Sequence, residues 1–383
     1  IVLLILLVCF AIFDFFSKSE KKVEISIENK IEDVSDEQLK EKIGQMIMVG
    51  FDGETAQENS DIYNIIKTAK IGGVILFDYD VALKKYPKNI LNPEQTKELI
   101  LNLQKYSEIP LFIAVDAEGG NVNRLKPEYG FSSILSAEKI GQDKTFNLAR
   151  IESKKLAEEL QKTGFNMDFA PVVDLNINPK NPIIGSLGRS FSKNAQIVFE
   201  NAKIFMENLA NSNVIPVAKH FPGHGSSASD SHIGLADVSQ TYEKEELLPY
   251  KMLNEEGYFP AVMAGHIFNK NIDQNYPASL SKNFLQDILR QQIGFDGVII
   301  SDDMQMGAIS ENYGLKEALI LSVNAGCNIL VFSNNTADKN DKDIAYKAVD
   351  IIFEALKNGE ISQEKIDQSY QKIMELKAKF GII

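Results

Sequence analysis

The chain contains no tryptophan, only two cysteines and four histidines, and 40 Lys and Arg against 53 Asp and Glu, a formal net charge of -13. Each shortage excludes something. A deficit of positive charge, with no basic stripe to reverse it locally, argues against nucleic acid and against anionic lipid as long-range partners. Two cysteines, Cys9 in an apolar leader and Cys327 far downstream, cannot build a disulfide framework in any compartment. Without tryptophan, the largest aromatic platform for stacking on a ring-shaped ligand is missing, so recognition of such a ligand leans on hydrogen bonds, with Phe191, Phe221 or Phe268 as substitutes for stacking. Low-complexity tracts and short repeats are also absent. At 383 residues and 44% hydrophobic the chain is long and apolar enough for one large domain or two small ones.

The longest apolar run is the first, "IVLLILLVCFAIFDFF", unbroken to Phe13 and interrupted by Asp14. It falls short of the roughly 20 residues that a spanning helix needs. No small-x-small cleavage site follows, and Val8 precedes Cys9 where a lipoprotein signal wants a small residue. Residues 1–16 are therefore expected to be an N-terminal membrane anchor completed by residues ahead of Ile1, with a cleaved signal peptide as the alternative. Residues 17–36, "SKSEKKVEISIENKIEDVSD", read as a polar tether. Either reading puts the remaining domain, residues 37–383, outside the cytoplasm in the cell envelope, an expectation that fractionation of the full-length protein checks.

From residue 45 onward, eight short apolar runs alternate with amphipathic stretches. They are "QMIMVGF" (45–51), "GGVILF" (72–77), "LFIAVD" (111–116), "NMDFAP" (166–171), "VIPVAKH" (214–220), "AVMAGH" (261–266), "GVIISDD" (297–303) and "NILVFS" (328–333). Continuous rather than alternating apolar character marks strands covered on both faces, and strand–helix alternation implies parallel pairing through crossovers. The helical stretches "NPEQTKELILNLQKYS", "LARIESKKLAEELQKTG" and "NAQIVFENAKIFMENLANS" carry apolar residues three and four apart. Eight units predict an α/β fold, a single-domain (β/α)8 TIM-type barrel rather than an open sheet.

Polar residues gather at the carboxyl ends of these runs: Asp116, Glu118, Asp168, Asp174, Lys219, His220, His266, Asp302, Asp303 and Ser333. In a barrel those ends converge on one mouth, where active sites are assembled. Lys219, His220 and His266 each also have a plain reading as residues that cap the barrel through hydrogen bonds.

Three of the four histidines lie in "AKHFPGHGSSASDSHIGLADV", residues 218–238. A metal site is disfavoured: His220 and His224 are four apart, but Pro222, Gly223 and Gly225 break the helix that would align them, and no HxH follows the first strand. Acid–base chemistry fits better. Asp230 and His232 alternate, so in an extended segment the carboxylate can hydrogen-bond the imidazole, fix its tautomer and raise its pKa. The alternative is an Asp that closes an Asx turn beside an exposed His. Gly223, Gly225 and "SSAS" predict a mobile loop that swings over a substrate. In "GVIISDDM" only one of Asp302 and Asp303 can point along the barrel axis, while the other is expected to cap a helix starting near Met304. An inward carboxylate and a mobile dyad are the apparatus of a double displacement at an acetal carbon.

The motifs "KHFPGHG...DSHIGL", "VDAEGGNVNRL", "NPIIGSLGRSF" and "GVIISDDM", in order from about residue 38 to the end, resemble glycoside hydrolase family 3, in its β-N-acetylglucosaminidase (β-N-acetylhexosaminidase) branch. "EKIGQMIMVGF" and "IGGVILF" are similar to that family's opening strands. The resemblance implies a retaining exo-glycosidase, with Asp302 as nucleophile and His232, polarised by Asp230, as general acid and base; no cofactor or metal is expected. It implies that Asp116, Arg124, Arg189, Lys219 and His220 hold the terminal sugar, with Asp168 and His266 beside them. The implied partner is an N-acetylglucosamine-containing glycan or peptidoglycan fragment. Ala117, Asn121 and Ser226 depart from the family pattern, where larger polar or acidic residues are common. A phosphorylase and an inactive, membrane-tethered sugar-binding protein are the rival readings. A substrate-assisted hexosaminidase would need two adjacent acids beneath the acetamido group and no histidine acid.

Overall fold

In a computed structural model, the described residues are 35–231, 234–337 and 340–383. Eight parallel strands close a barrel in sequence order: β1 (Ile47–Val49), β2 (Gly73–Ile75), β3 (Phe112–Val115), β4 (Met167–Asp168), β5 (Ile215–Phe221), β6 (Ala261–Ala264), β7 (Val298–Asp303) and β8 (Ile329–Phe332), the last pairing with the first. Every residue of the first six strands and of β8 is buried, as continuous apolar runs require. Only the carboxyl end of β7 opens, at Asp302 and Asp303.

The intervening helices follow local rules. Asn92 caps α1 (Pro93–Tyr106) by accepting from Gln95 N–H, Pro93 fills the first turn, and Thr96, Leu99, Ile100 and Leu103 make the buried stripe. In α2 (Asn147–Thr163) the stop is Gly164, whose φ of 101° takes the left-handed conformation that closes a helix. Asn194 caps α3 (Ala195–Asn211), accepting from Gln196 and Ile197 N–H.

The strand boundaries differ from the sequence reading in instructive places. Gln45 is the last residue of a helix, Asp36–Gln45, rather than the first of a strand. The expected strand 166–171 pairs only through Met167 and Asp168 and continues as one isolated bridge, Val172 to Lys219, because Pro171 offers no N–H to a ladder. Two small pairings lie beyond the barrel: an antiparallel one between Ala117–Gly119 and Val122–Asn123, and a parallel one between Ala236–Asp237 and Ile267–Phe268. Glu37–Ile383 forms one compact unit. The expected anchor and tether precede it and, save Ser35 and Asp36, lie outside the described residues. Among the described residues no helix is long and apolar enough to cross a membrane.

Candidate active site

The carboxyl ends of the strands surround a cavity of about 470 Å³. Its floor is a knot of paired charges. Lys219 Nζ, at the end of β5, lies 2.7 Å from Asp116 Oδ1 and 2.7 Å from Glu118 Oε1. Arg189 forks onto Glu118, with Nε and Nη2 each donating at 2.7 Å, and its Nη1 donates to the Ile183 carbonyl. Arg124 stands 3.6 Å from Asp116 and over the ring of Phe77. Burial pushes Glu118 up, but Arg189 and Lys219 more than offset it and hold the carboxyl at about 2. Asp116, opposed in the same way by burial and favoured by Lys219 and Arg124, is also held below its usual range. The floor therefore presents fixed charges whose hydrogen-bonding geometry is set before a ligand arrives.

His220 is oriented by its neighbours. Nδ1 faces Asp174 Oδ2 at 2.7 Å, and Nε2 faces Arg189 Nη2, which can only donate, at 3.3 Å. That pattern assigns the proton to Nδ1. His220 and Lys219 are sequential, joined by a cis peptide, and both line the cavity.

Asp302 lines the cavity from the end of β7 and accepts from Asp303 N–H at 2.8 Å. Asp303 does not cap a helix at Met304, since the next helical turn begins at Gly307. Its carboxylate accepts from Gln305 N–H and from Ser333 N–H, both at 3.0 Å, and from Ser333 Oγ, which ties the end of β7 to β8. Asp168 and His266 are fully buried and stand outside the cavity wall. Asp168 accepts from Ala117 N–H beneath the floor, and burial pushes it well above the carboxylate range. His266 bridges Ser279 Oγ and the Asp303 carbonyl.

His232 and Ile233 lie outside the described residues. The residue before them, Ser231, lines the cavity together with Asp302. Its carbonyl accepts from Ala308 N–H at 3.3 Å, and its hydroxyl meets His224 Nε2 at 3.1 Å. Burial, helped by His220, pushes His224 down to about 4, so it is neutral. The stem of this loop is not the loose segment that its glycines predict. Residues 221–227 are all buried, and a Cβ on Gly225 would fall 1.6 Å from the Leu175 carbonyl oxygen. Glycine is there to let two backbones touch.

Several functional neighbours escaped the sequence reading. Glu118 and Asp174 are visible as carboxylates after strands, yet nothing pairs them with Arg189 and His220, which lie 71 and 46 residues away. The aromatic residues on the cavity are Phe77, Tyr79 and Phe169. Phe191, Phe221 and Phe268, the expected stacking residues, are not on its wall, and the first two point into the core.

The profile of the glycosyl hydrolase family 3 N-terminal domain matches residues 38–376. The chain belongs to glycosyl hydrolase family 3. It is 32% identical over 340 residues to a beta-hexosaminidase of Nitrosomonas eutropha, an alignment that covers 86% of this chain and 91% of that one. Against the beta-hexosaminidase LpqI of Mycobacterium tuberculosis the identity is 30%, with coverage of 88% and 82%. Among solved structures, a family 3 β-N-acetylglucosaminidase from Paenibacillus superposes with a TM-score of 0.80 at 32% identity over 90% of this chain, which spans 63% of that longer protein. The β-N-acetylhexosaminidase of Beutenbergia cavernae superposes with a TM-score of 0.75 at 26% identity, covering 89% of this chain and 98% of that one. As a family 3 glycoside hydrolase, the protein has its charged floor, Asp302 and the Ser231 loop at the mouth where barrel enzymes bind substrate.

Proposed function

We propose that this hydrolase is a retaining exo-β-N-acetylglucosaminidase, acting on terminal β-linked N-acetylglucosamine of a glycan or peptidoglycan fragment. The observation that carries the reading is that Asp302 and Ser231, the neighbour of His232, line one cavity above the Asp116–Lys219–Glu118–Arg189 floor. The names of the beta-hexosaminidase relatives support the choice of sugar. On this reading the floor grips the sugar's hydroxyls, and Asp302 attacks the anomeric carbon. The bond to the leaving oxygen breaks while His232, oriented by Asp230, gives that oxygen its proton. Water then attacks the same carbon, His232 takes its proton, and the ester to Asp302 breaks.

A series of aryl N-acetylglucosaminides with leaving groups of graded acidity tests the mechanism. In His232→Ala the first step should change little for the most acidic leaving group and fall about 100-fold or more for the least acidic, because only the latter needs a proton. Asp302→Asn should abolish turnover, and a 2-fluoro sugar should label the peptide holding Asp302. A uniform fall across the series in His232→Ala would overturn the acid–base role. Sugar phosphate as the product in phosphate buffer would move the protein to the phosphorylases.

A further inference from the structure

Against residues 223–226, which lead in sequence to Asp230 and His232, lies a carboxylate with no part in the chemistry above. Glu246, in the 3-10 turn Lys244–Leu247, is 1% exposed. Its Oε2 accepts from Gly225 N–H at 2.9 Å and from Ser226 N–H at 3.3 Å. The preceding N–H, that of His224, goes to Asp174 Oδ1 at 2.8 Å. Three consecutive backbone donors are thus held by two buried carboxylates, one following β4 and one following the Ala236–Asp237 strand. Gly223, at a φ of 127°, packs directly on this grip, since a Cβ there would stand 2.6 Å from Glu246 Cβ. Asn181 and Asn178 hold the carbonyls of His224 and Ser227 from the other side.

A carboxylate is a costly way to fill a buried space, and burial pushes Glu246 up to about 7. What it gains is direction. Bonds to main-chain N–H groups fix the path of the chain rather than the pose of one side chain. That path leads from Ser226 to Asp230 within one short, uninterrupted run. His224, itself held in the clamp, is the ring that meets Ser231.

We infer that Glu246 is a positioning residue for proton transfer: by gripping Gly225 and Ser226 it fixes the path of the chain to Asp230 and to Ser231 on the cavity wall, from which His232 follows in sequence. The inference rests on the acid–base reading of that dyad.

The test uses the full chain with Glu246→Ala and Glu246→Gln, with His232→Ala measured alongside. For Glu246→Ala, kcat/KM should fall about 50-fold for a poor aryl leaving group and no more than about threefold for dinitrophenyl, with inhibition by free N-acetylglucosamine within about twofold of wild type. Azide, a nucleophile that needs no base, should restore part of the second step. Glu246→Gln keeps an acceptor without the charge and should recover about tenfold of the loss. A uniform fall across leaving groups, no fall at all, or weakened inhibition equal to the rate loss would overturn the inference. Should Glu246→Ala not fold, the slope of rate against leaving-group acidity in Glu246→Gln decides: steeper than wild type supports the role, and unchanged overturns it. If His232→Ala itself shows no dependence on leaving group, the acid–base reading has failed. If His232→Ala shows it and the Glu246 variants do not, only the present inference has.

Discussion

At the scale of single residues, the floor balances two acids, Asp116 and Glu118, against two bases, Lys219 and Arg189. Asp168 is a further carboxyl close beneath them, with Lys219 lowering its pKa while Asp116 and Glu118 raise it, and burial dominates. Burial thereby favours the protonated form: Oδ1 accepts from Ala117 N–H, and Oδ2, buried with no hydrogen-bond partner among the described residues, is the atom left for a proton. A neutral acid and an amide have nearly the same shape. Asp168→Asn should consequently leave kcat/KM within about threefold of wild type, whereas Asp116→Asn, which removes a charge that Lys219 and Arg124 depend on, should cost about 100-fold. Steady-state kinetics on one aryl glycoside measures both. Equal losses would mean that Asp168 is ionised and takes part in binding.

At the scale of elements, the barrel was legible because buried parallel strands announce themselves as unbroken apolar runs, and all eight runs hold a barrel strand. The rule that strand ends converge found Asp116, Lys219, His220 and Asp302 for the same reason. It could not find the Glu118–Arg189 fork or the Asp174–His220 pair, whose partners come from separate crossovers. It also placed Asp168 and His266 near the site without showing that each sits behind the wall. The loop after β5 misled for a physical cause: glycine in a sequence reads equally as freedom and as close approach, and only the neighbouring backbone tells which. Gly225→Ala makes that distinction measurable. Its Cβ cannot share space with the Leu175 carbonyl, so the stem must shift, with a stability loss of about 2–4 kcal/mol by urea titration and slower turnover of poor leaving groups. A variant as stable and active as wild type would show the loop to be free after all.

At the scale of the whole molecule, the end of the barrel opposite the mouth carries a second buried charge that the chemistry does not use. Lys377, on the last helix, Gln363–Lys379, is fully buried with its Nζ 2.8 Å from Gln45 Oε1 and 4.8 Å from the centre of the Phe112 ring. Gln45 precedes β1, Phe112 begins β3, and the Gln45 amide donates to the carbonyls of Lys70 and Ile71 ahead of β2. The final helix thus plugs the amino-terminal end of the barrel. Lys42 and Asp367, 2.6 Å apart, join the same two helices nearer the surface. Burial pushes the Lys377 ammonium down from 10.5 to about 7. Between those two values the unfolded chain holds a proton that the folded one has released, so stability rises with pH across that window and levels off below about 7, where both forms are protonated. Lys377→Met removes this dependence and fills the same space with a flexible apolar chain. Wild type minus variant, from urea titrations, should therefore grow by up to about 4 kcal/mol between pH 7 and pH 10, with Met at least as stable as Lys at pH 7. Because the plug is at the far end from Asp302, kcat/KM at 25 °C should be the same in both proteins. Parallel stability curves across that pH range would mean that Lys377 remains charged in the folded barrel, held by its Gln45 and Phe112 contacts.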